Sequence, residues 1–262
     1  MKQKPKLGQN FLTDPAACVA IADSLGDISQ ATVVEIGPGA GAITQILAAR
    51  AQRLIAIELD HDLAAHMRAE FPKIEIIQAD ILTVDLNTLR TNGERLRIVG
   101  NLPYYITSPI LLHLFHFTEA IATAVLMMQR EVADRVAASP GSRDYGLLSA
   151  TTQLYSRTER ILTLPPEAFM PPPEVHSTVL RLTMRPRFAE LGIQPDTFLP
   201  FLRQAFAQKR KTLGKNLRAA GFDAPSIATA LEKSAIPPNA RAEEIDLDRM
   251  AALWKALPHP QR

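Results

Sequence analysis

Between about residues 13 and 138 the chain alternates short apolar runs, rich in β-branched residues, with stretches of helical length. That alternation leaves few folds open. The runs are Thr32–Ile36, Arg53–Glu58, Ile74–Gln78, Leu96–Val99 and Ala124–Met128, and the intervening segments include Asp62–Glu70 and Ile110–Phe117. Strands apolar on both faces and separated by helices predict an α/β fold, a doubly wound, mostly parallel sheet covered on each side. Asp14-Pro15 reads as an N-cap followed by proline at the first helical position, and Gly26 as the stop. Two further strands, Glu159–Leu164 and Thr178–Met184, flank "LPPEAFMPPPEVHS". So many prolines predict an exposed loop there, too long for a tight hairpin.

After Arg185-Pro186 the periodicity is helical throughout, which predicts an α/β domain over 1–186 and a small all-α domain over 187–262. The charge is split the same way. Residues 1–186 carry 17 Lys and Arg against 19 Asp and Glu, net −2, whereas 187–262 carry 12 against 8, net +4. Arg203, Lys209, Arg210, Lys211, Lys215 and Arg218 fall in a stretch without a single acid. Leu199, Leu202, Phe206, Leu213 and Leu217 share one face of a helix drawn through it, with Lys211, Lys215 and Arg218 on the other, and Gly214 as a point where it kinks or shortens. Such a face is either simply solvated or binds a polyanion, and the lack of acids favours the polyanion.

Other classes are excluded by composition. A content of 47% hydrophobic and 21% charged residues is that of an ordinary globular protein. The longest apolar stretches are about half what a bilayer requires, and Met1-Lys2-Gln3-Lys4-Pro5-Lys6 lacks a signal-peptide core, so a cytoplasmic protein with no membrane association is expected. Cys18 is the only cysteine, which rules out an internal disulfide, and no Cys/His spacing predicts a metal site. A monomer is the default.

The strongest local signal is "VVEIGPGAGAIT", a buried strand ending in Glu35-Ile36, then Gly37, Gly39 and Gly41, then a helix from about Ala42. Glycines allow a ligand to approach the backbone where a Cβ would collide. Glu58 ends the next strand, where a carboxylate can accept from ribose hydroxyls, and Asp80 ends the third, so three strand ends feed one crevice. The spacing is G-x-G-x-G, short of the dinucleotide fingerprint, Pro38 removes a donor that a pyrophosphate needs, and Glu35 repels phosphate. These residues favour cationic S-adenosylmethionine over a nicotinamide or flavin, or over a structural turn. For Glu35, anchoring of the loop is as good a reading as ligand contact.

"NLPYY" (101–105) follows the fourth strand with an amide, a proline and two tyrosines. An activated methyl group needs a nucleophile held in line rather than a strong base. Asn101, through its side-chain oxygen, and Leu102, through its backbone carbonyl, can accept from an exocyclic adenine amine and stabilise the charge that develops on it. Tyr104 offers a ring on which a flipped base can stack. One of the two tyrosines is expected to be ordinary packing.

Taken together, "LGQNFL" (7–12), "EIGPGAGAIT" (35–44), "IAIELD" (55–60), "QADIL" (78–82), "NLPYYITSPIL" (101–111), "MMQREVADR" (127–135), "PPEAFMPPPEVHS" (165–177) and "FAQKRKTLGKNL" (206–217) resemble the ribosomal RNA small-subunit adenine dimethyltransferase family over nearly the whole chain. The resemblance implies a Rossmann-like class I methyltransferase sheet and transfer of two methyl groups from S-adenosylmethionine to N6 of each of two adjacent adenosines near the 3′ end of 16S rRNA, with a role in small ribosomal subunit assembly. It implies cofactor contacts at Asn10, Leu12, Gly37, Glu58, Asp80 and Asn101, with Asn10 and Leu12 as a flap. Tyr104 and Phe169 would lie around the target base. Tyr105 stands where many relatives have Asn, and His176 where many have Asp. A large-subunit rRNA methylase, a nicotinamide oxidoreductase and an assembly factor without activity are the competing readings.

Overall fold

The computed structural model describes residues 10–258. A two-residue strand, β1 (Phe11–Leu12), leads into α1 (Pro15–Asp23). The Asp14 carboxylate accepts from the N–H groups of Ala16 and Ala17, and Pro15 occupies the first turn, where its missing N–H has no role. Strands and helices then alternate: β2 (Thr32–Ile36), α2 (Thr44–Arg50), β3 (Arg53–Glu58), α3 (His61–Glu70), β4 (Glu75–Gln78), β5 (Leu96–Asn101), α4 (Thr107–His116) and β6 (Ile121–Gln129). The predicted strands recur with small changes of boundary. One change bears on the site: β5 runs on to Asn101, which pairs with Met127, so the amide is held by the sheet rather than by a turn.

After α5 (Arg130–Val136) and α6 (Leu147–Tyr155), the chain returns to the sheet with β7 (Ser156–Leu164) and β9 (Ser177–Met184), and β8 (Phe169–Met170) lies in the connection between them. The sheet has seven strands in the order β4-β3-β2-β5-β6-β9-β7. β2 to β6 are parallel, and β9 runs antiparallel to β6. The strand order reverses at β2, which has β3 on one side and β5 on the other. Such a switch point opens a crevice beyond the carboxyl ends of the two central strands. All five residues of β2 are buried, as a central parallel strand requires. On one face Leu12, Cys18, Ile21, Val33, Leu47, Val99 and Val179 form one apolar cluster, and burial raises the Cys18 thiol pKa above its ordinary value.

The proline-rich connection is exposed along most of its length but is not free. β8 pairs antiparallel with β1, with Phe11 opposite Met170 and Leu12 opposite Phe169, and both the backbone N–H and the Oγ1 of Thr13 donate to the Ala168 carbonyl, at 2.8 and 3.1 Å.

The second unit departs from the predicted division at 186. Among the described residues, 10–133 with 157–184 form one compact unit, and 134–156 with 185–258 form the other. The reason is apolar: Tyr145, Ala150 and Leu154 are buried in one cluster with Phe198, Phe201, Leu202, Leu217, Leu231 and Leu253. The backbone follows, with Gly141 donating to the Glu243 carbonyl at 2.8 Å and Arg187 to the Leu154 carbonyl at 2.8 Å. Its later helices are α7 (Phe188–Leu191), α8 (Pro195–Ala205), α9 (Leu213–Ala219), α10 (Ala224–Lys233) and α11 (Leu247–Ala256).

The single basic helix drawn through residues 199–218 is a helix–turn–helix break instead. α8 ends at Ala205, and α9 begins only after Thr212, whose side chain caps it by accepting from the Lys215 N–H. Asn216, 3% exposed, holds the break, since its Nδ2 donates to the Ala205 carbonyl at 2.7 Å and the Gln208 carbonyl at 3.2 Å. The Ala205 carbonyl is one that a terminating helix leaves without a partner, and the Gln208 carbonyl also accepts from the Lys211 N–H at 3.0 Å. The kink predicted at Gly214 is not where the direction changes. Among the described residues no helix is long and apolar enough to cross a membrane, and no group of three His, Cys, Asp or Glu could hold a metal.

Candidate active site

The crevice beyond β2 and β5 is built by the glycine loop. Gly37, Gly39 and Gly41 have φ of +64°, +57° and +84°, a region that L side chains rarely enter. The loop is pinned to the neighbouring strand by the Gly37 N–H, which donates to the Ile57 carbonyl at 2.9 Å, and is closed by Gly41 N–H to the Pro38 carbonyl at 2.9 Å. The three glycines serve different ends. A Cβ on Gly37 would lie 3.9 Å from the Asn101 carbonyl oxygen, so this glycine faces the end of β5. A Cβ on Gly39 would meet the Phe11 ring at 2.9 Å, and one on Gly41 would meet the Phe71 ring at 2.7 Å. Gly41, expected at the ligand, therefore packs against Phe71 and Met67. α2 starts at Thr44, two residues later than the sequence reading placed it.

Two carboxylates lie under this loop. Glu58, 4% exposed at the end of β3, accepts from the Asp60 N–H at 2.9 Å and from the Gly39 N–H at 3.4 Å. Glu35, 2% exposed, accepts from Thr44 Oγ1 at 2.6 Å. Burial pushes the Glu35 pKa up to about 7; the Thr44 hydrogen bond opposes that rise and the nearby Glu58 charge adds to it. Glu35 thus ties β2 to the first turn of α2, the anchoring alternative of the two raised for it. Asp80, half-buried beyond β4, accepts from the Leu82 N–H at 2.9 Å.

Asn101 is half-buried, and its Nδ2 donates to the Asn10 carbonyl at 3.0 Å. This hydrogen bond engages the amide nitrogen and leaves the side-chain oxygen as the group's acceptor. Leu102 is 1% exposed and fixed through its N–H to the Met127 carbonyl at 2.9 Å. The Pro103 carbonyl accepts from the Ile106 N–H at 3.2 Å and from Thr107 Oγ1 at 3.2 Å, which sets the turn into α4. The Tyr104 hydroxyl lies 3.0 Å from Ser177 Oγ. Tyr105 is 62% exposed and is therefore not the packing tyrosine.

Two expected residues sit differently from the reading. Phe169, expected to present its ring from an exposed loop, is 2% exposed because the ribbon with Leu12 encloses it. Leu12, part of the expected flap, is itself only 5% exposed and belongs to the same apolar cluster. Thr44, Ser177 and Phe11 were missed. Ser177 and Phe11 act by touching residues far from them in sequence, Tyr104 and Gly39, while Thr44 reaches Glu35 across the glycine loop. The six basic residues all lie in the helical unit and are exposed: Arg203 on α8, Lys209, Arg210 and Lys211 in the turn, and Lys215 and Arg218 on α9. Lys209 Nζ donates to the Arg143 carbonyl at 2.7 Å, which fastens the turn to the segment before α6.

The family model described as ribosomal RNA adenine dimethylase matches residues 1–258. The chain belongs to this family. As a dimethylase-family member it is 60% identical over 259 residues to a ribosomal RNA small subunit methyltransferase A of Acidobacterium capsulatum, covering 98% of this chain and 92% of that one. It is 51% identical to the protein of the same description from Koribacter versatilis, covering 97% of this chain and 94% of that one. Among solved structures, a dimethyladenosine transferase from Plasmodium falciparum superposes with a TM-score of 0.74 at 22% identity, over 93% of this chain and 95% of that chain. A 23S rRNA methyltransferase, ErmE, superposes at 0.73 with 25% identity, over 95% and 99%. Both neighbours carry the methyltransferase fold, so the dimethylase-family sheet is of class I, as the resemblance implied.

Proposed function

We propose that this dimethylase-family chain transfers methyl groups from S-adenosylmethionine to the N6 of adenosines in small-subunit rRNA, two methyl groups to each of two adjacent adenosines near the 3′ end, in the cytoplasm. The observation that carries the reading is the placement of Asn101, an uncharged amide locked at the end of β5 by the Asn10 carbonyl and directly beside Gly37 of the glycine loop. The pocket's residues fit such a cofactor. The loop at Gly37 has no Cβ toward Asn101, while Glu58 beneath it supplies an acceptor and negative charge for a cationic, ribose-bearing group. Asp80 is the acceptor for an adenine amine, and Asn10 and Leu12 close the crevice against water.

When bound, the cofactor supplies a methyl group already activated by positive sulfur. What remains for the protein is to hold the accepting nitrogen. The Asn101 oxygen and the Leu102 carbonyl accept from the adenine N6 hydrogens, orient the amine, and stabilise the positive charge that grows on it during transfer. No strong base is needed, since the cationic product releases its proton readily. Tyr104, braced by Ser177, offers one ring to the target base, while Phe169, enclosed beside Leu12, anchors the proline-rich connection from within the apolar cluster. Because Asn101 is neutral, the second methylation costs one hydrogen bond and leaves no stranded charge. Arg203, Lys209, Arg210, Lys211, Lys215 and Arg218 hold the RNA through its phosphates, which positions it by shape rather than by sequence.

Incubation with radiolabelled S-adenosylmethionine and unmethylated small subunits, naked small-subunit rRNA or large subunits tests the assignment. Dimethyladenosine is expected in the small-subunit RNA. Label confined to large-subunit RNA would replace this reading with the competing methylase.

A further inference from the structure

Six large apolar side chains stand exposed among the described residues, and three of them lie on the two loops around Asn101: Tyr105 at 62%, Met170 at 64% and Val175 at 42%. The two loops are tied together. The Tyr104 hydroxyl lies 3.0 Å from Ser177 Oγ, and Met170 is held by its pairing with Phe11. The far end of the proline loop is fixed by the Arg130 N–H, which donates to the His176 carbonyl at 2.9 Å. Tyr105, the most exposed aromatic ring beside Asn101, is therefore presented to solvent on a loop that is held in place.

We propose that Tyr105 is a stacking platform for the nucleobase adjoining the target adenosine, with Met170 and Val175 extending the rim beneath the same strand. The inference rests on the reading of this chain as an RNA adenine methyltransferase and adds a second base site to it. Tyr105 shares one turn with Tyr104 and is 62% exposed, so its ring is open to a base next to the one held at Asn101. Turning one base out of a stack exposes the face of its neighbour, and an aromatic ring replaces the missing partner without regard to which base it is. That tolerance suits an enzyme acting at two adjacent positions, because each in turn has a different neighbour. The rim itself is poorly suited to phosphate, since Glu174 lies within it. Arg130, exposed and in no ion pair among the described residues, is the cation at its edge for the backbone.

The test compares wild type with Tyr105→Ala and Tyr105→Phe on naked small-subunit rRNA and on unmethylated particles. Tyr105→Ala is expected to raise the KM for either RNA substrate about 10-fold while leaving kcat and the dissociation constant for S-adenosylmethionine within about twofold. Tyr105→Phe, which keeps the ring, is expected to restore KM. With 2-aminopurine beside the target adenosine, wild type should change the probe's fluorescence on binding and Tyr105→Ala should not. An unchanged KM in Tyr105→Ala, or a Phe variant as weak as the Ala variant, overturns the proposal. A KM raised for particles alone overturns it in favour of contact with a ribosomal protein. Wild type that methylates no adenosine in any RNA removes the substrate reading and this inference together, an outcome distinct from active wild type with an indifferent Tyr105.

Discussion

Glu35 makes the stability of the sheet unit depend on pH in a direction opposite to that of most carboxylates. Burial raises its pKa from 4.5 to about 7. Between those values the folded chain keeps a proton that the unfolded chain has released, so folding takes up a proton and stability falls as pH rises. The slope reaches about 1.4 kcal/mol per pH unit, and the accumulated loss by pH 8 is on the order of 3 kcal/mol. Below about pH 4.5 the carboxyl is neutral in both states and the penalty is absent. Replacing Glu35 with Gln keeps an oxygen for Thr44 Oγ1 and removes the ionisation. Chemical denaturation followed by circular dichroism from pH 4.5 to 8 should show wild type losing on the order of 3 kcal/mol relative to Glu35→Gln. Thr44→Val removes the donor that opposes the rise, so its steep region should extend to higher pH. Parallel pH profiles for wild type and Glu35→Gln would refute the reasoning.

Asn101→Ala should lower kcat for methyl transfer by about 100-fold or more while leaving the calorimetric affinity for S-adenosylmethionine within a few-fold, as expected for a group whose hydrogen bonds strengthen in the transition state. Reversing the charges of Lys211, Lys215 and Arg218 should weaken particle binding and flatten the plot of log K against log salt by about 0.7 to 0.9 for each phosphate that is no longer engaged, without changing cofactor affinity. Asn216→Ala leaves the Ala205 carbonyl without its donor and takes one of two donors from the Gln208 carbonyl, and should destabilise the helical unit by about 2 kcal/mol in thermal or chemical unfolding. It should also weaken RNA binding, because Lys209, Arg210 and Lys211 ride on the turn that Asn216 holds.

The sheet was legible because parallel strands buried on both faces write themselves as continuous runs: β2 and β3 were read to the residue, from Val33-Val34 and Leu54-Ile55-Ala56-Ile57. The positions of Glu58, Gly37 and Asn101 at the ends of β3, β2 and β5 were legible for a related reason, since they follow directly from where those continuous runs stop. What was not legible depends on packing between distant segments. The burial of Phe169 comes from pairing with Leu12, some 157 positions away, and nothing in "PPEAFMPPPEVHS" announces that partner. The break at residues 206–212 was missed because the apolar spacing from Leu199 to Leu217 suits one helix as well as two. A buried Asn216 decides between them, and its role appears only when its two carbonyl partners are known. The assignment of residues 134–156 failed for the same reason, since a linear reading groups neighbours in sequence and Tyr145 is grouped by its neighbours in the core.

That last arrangement governs the order in which the molecule can be completed. Residues 134–156 leave the ribosome before β7 and β9, yet their apolar side chains find their companions only when residues 185–257 have been made. The sheet can therefore close its far edge while α6 still lacks its companions. A polypeptide cut at 186 and expressed as its tail alone would lack Tyr145, Ala150 and Leu154, and would present to water the surfaces they cover.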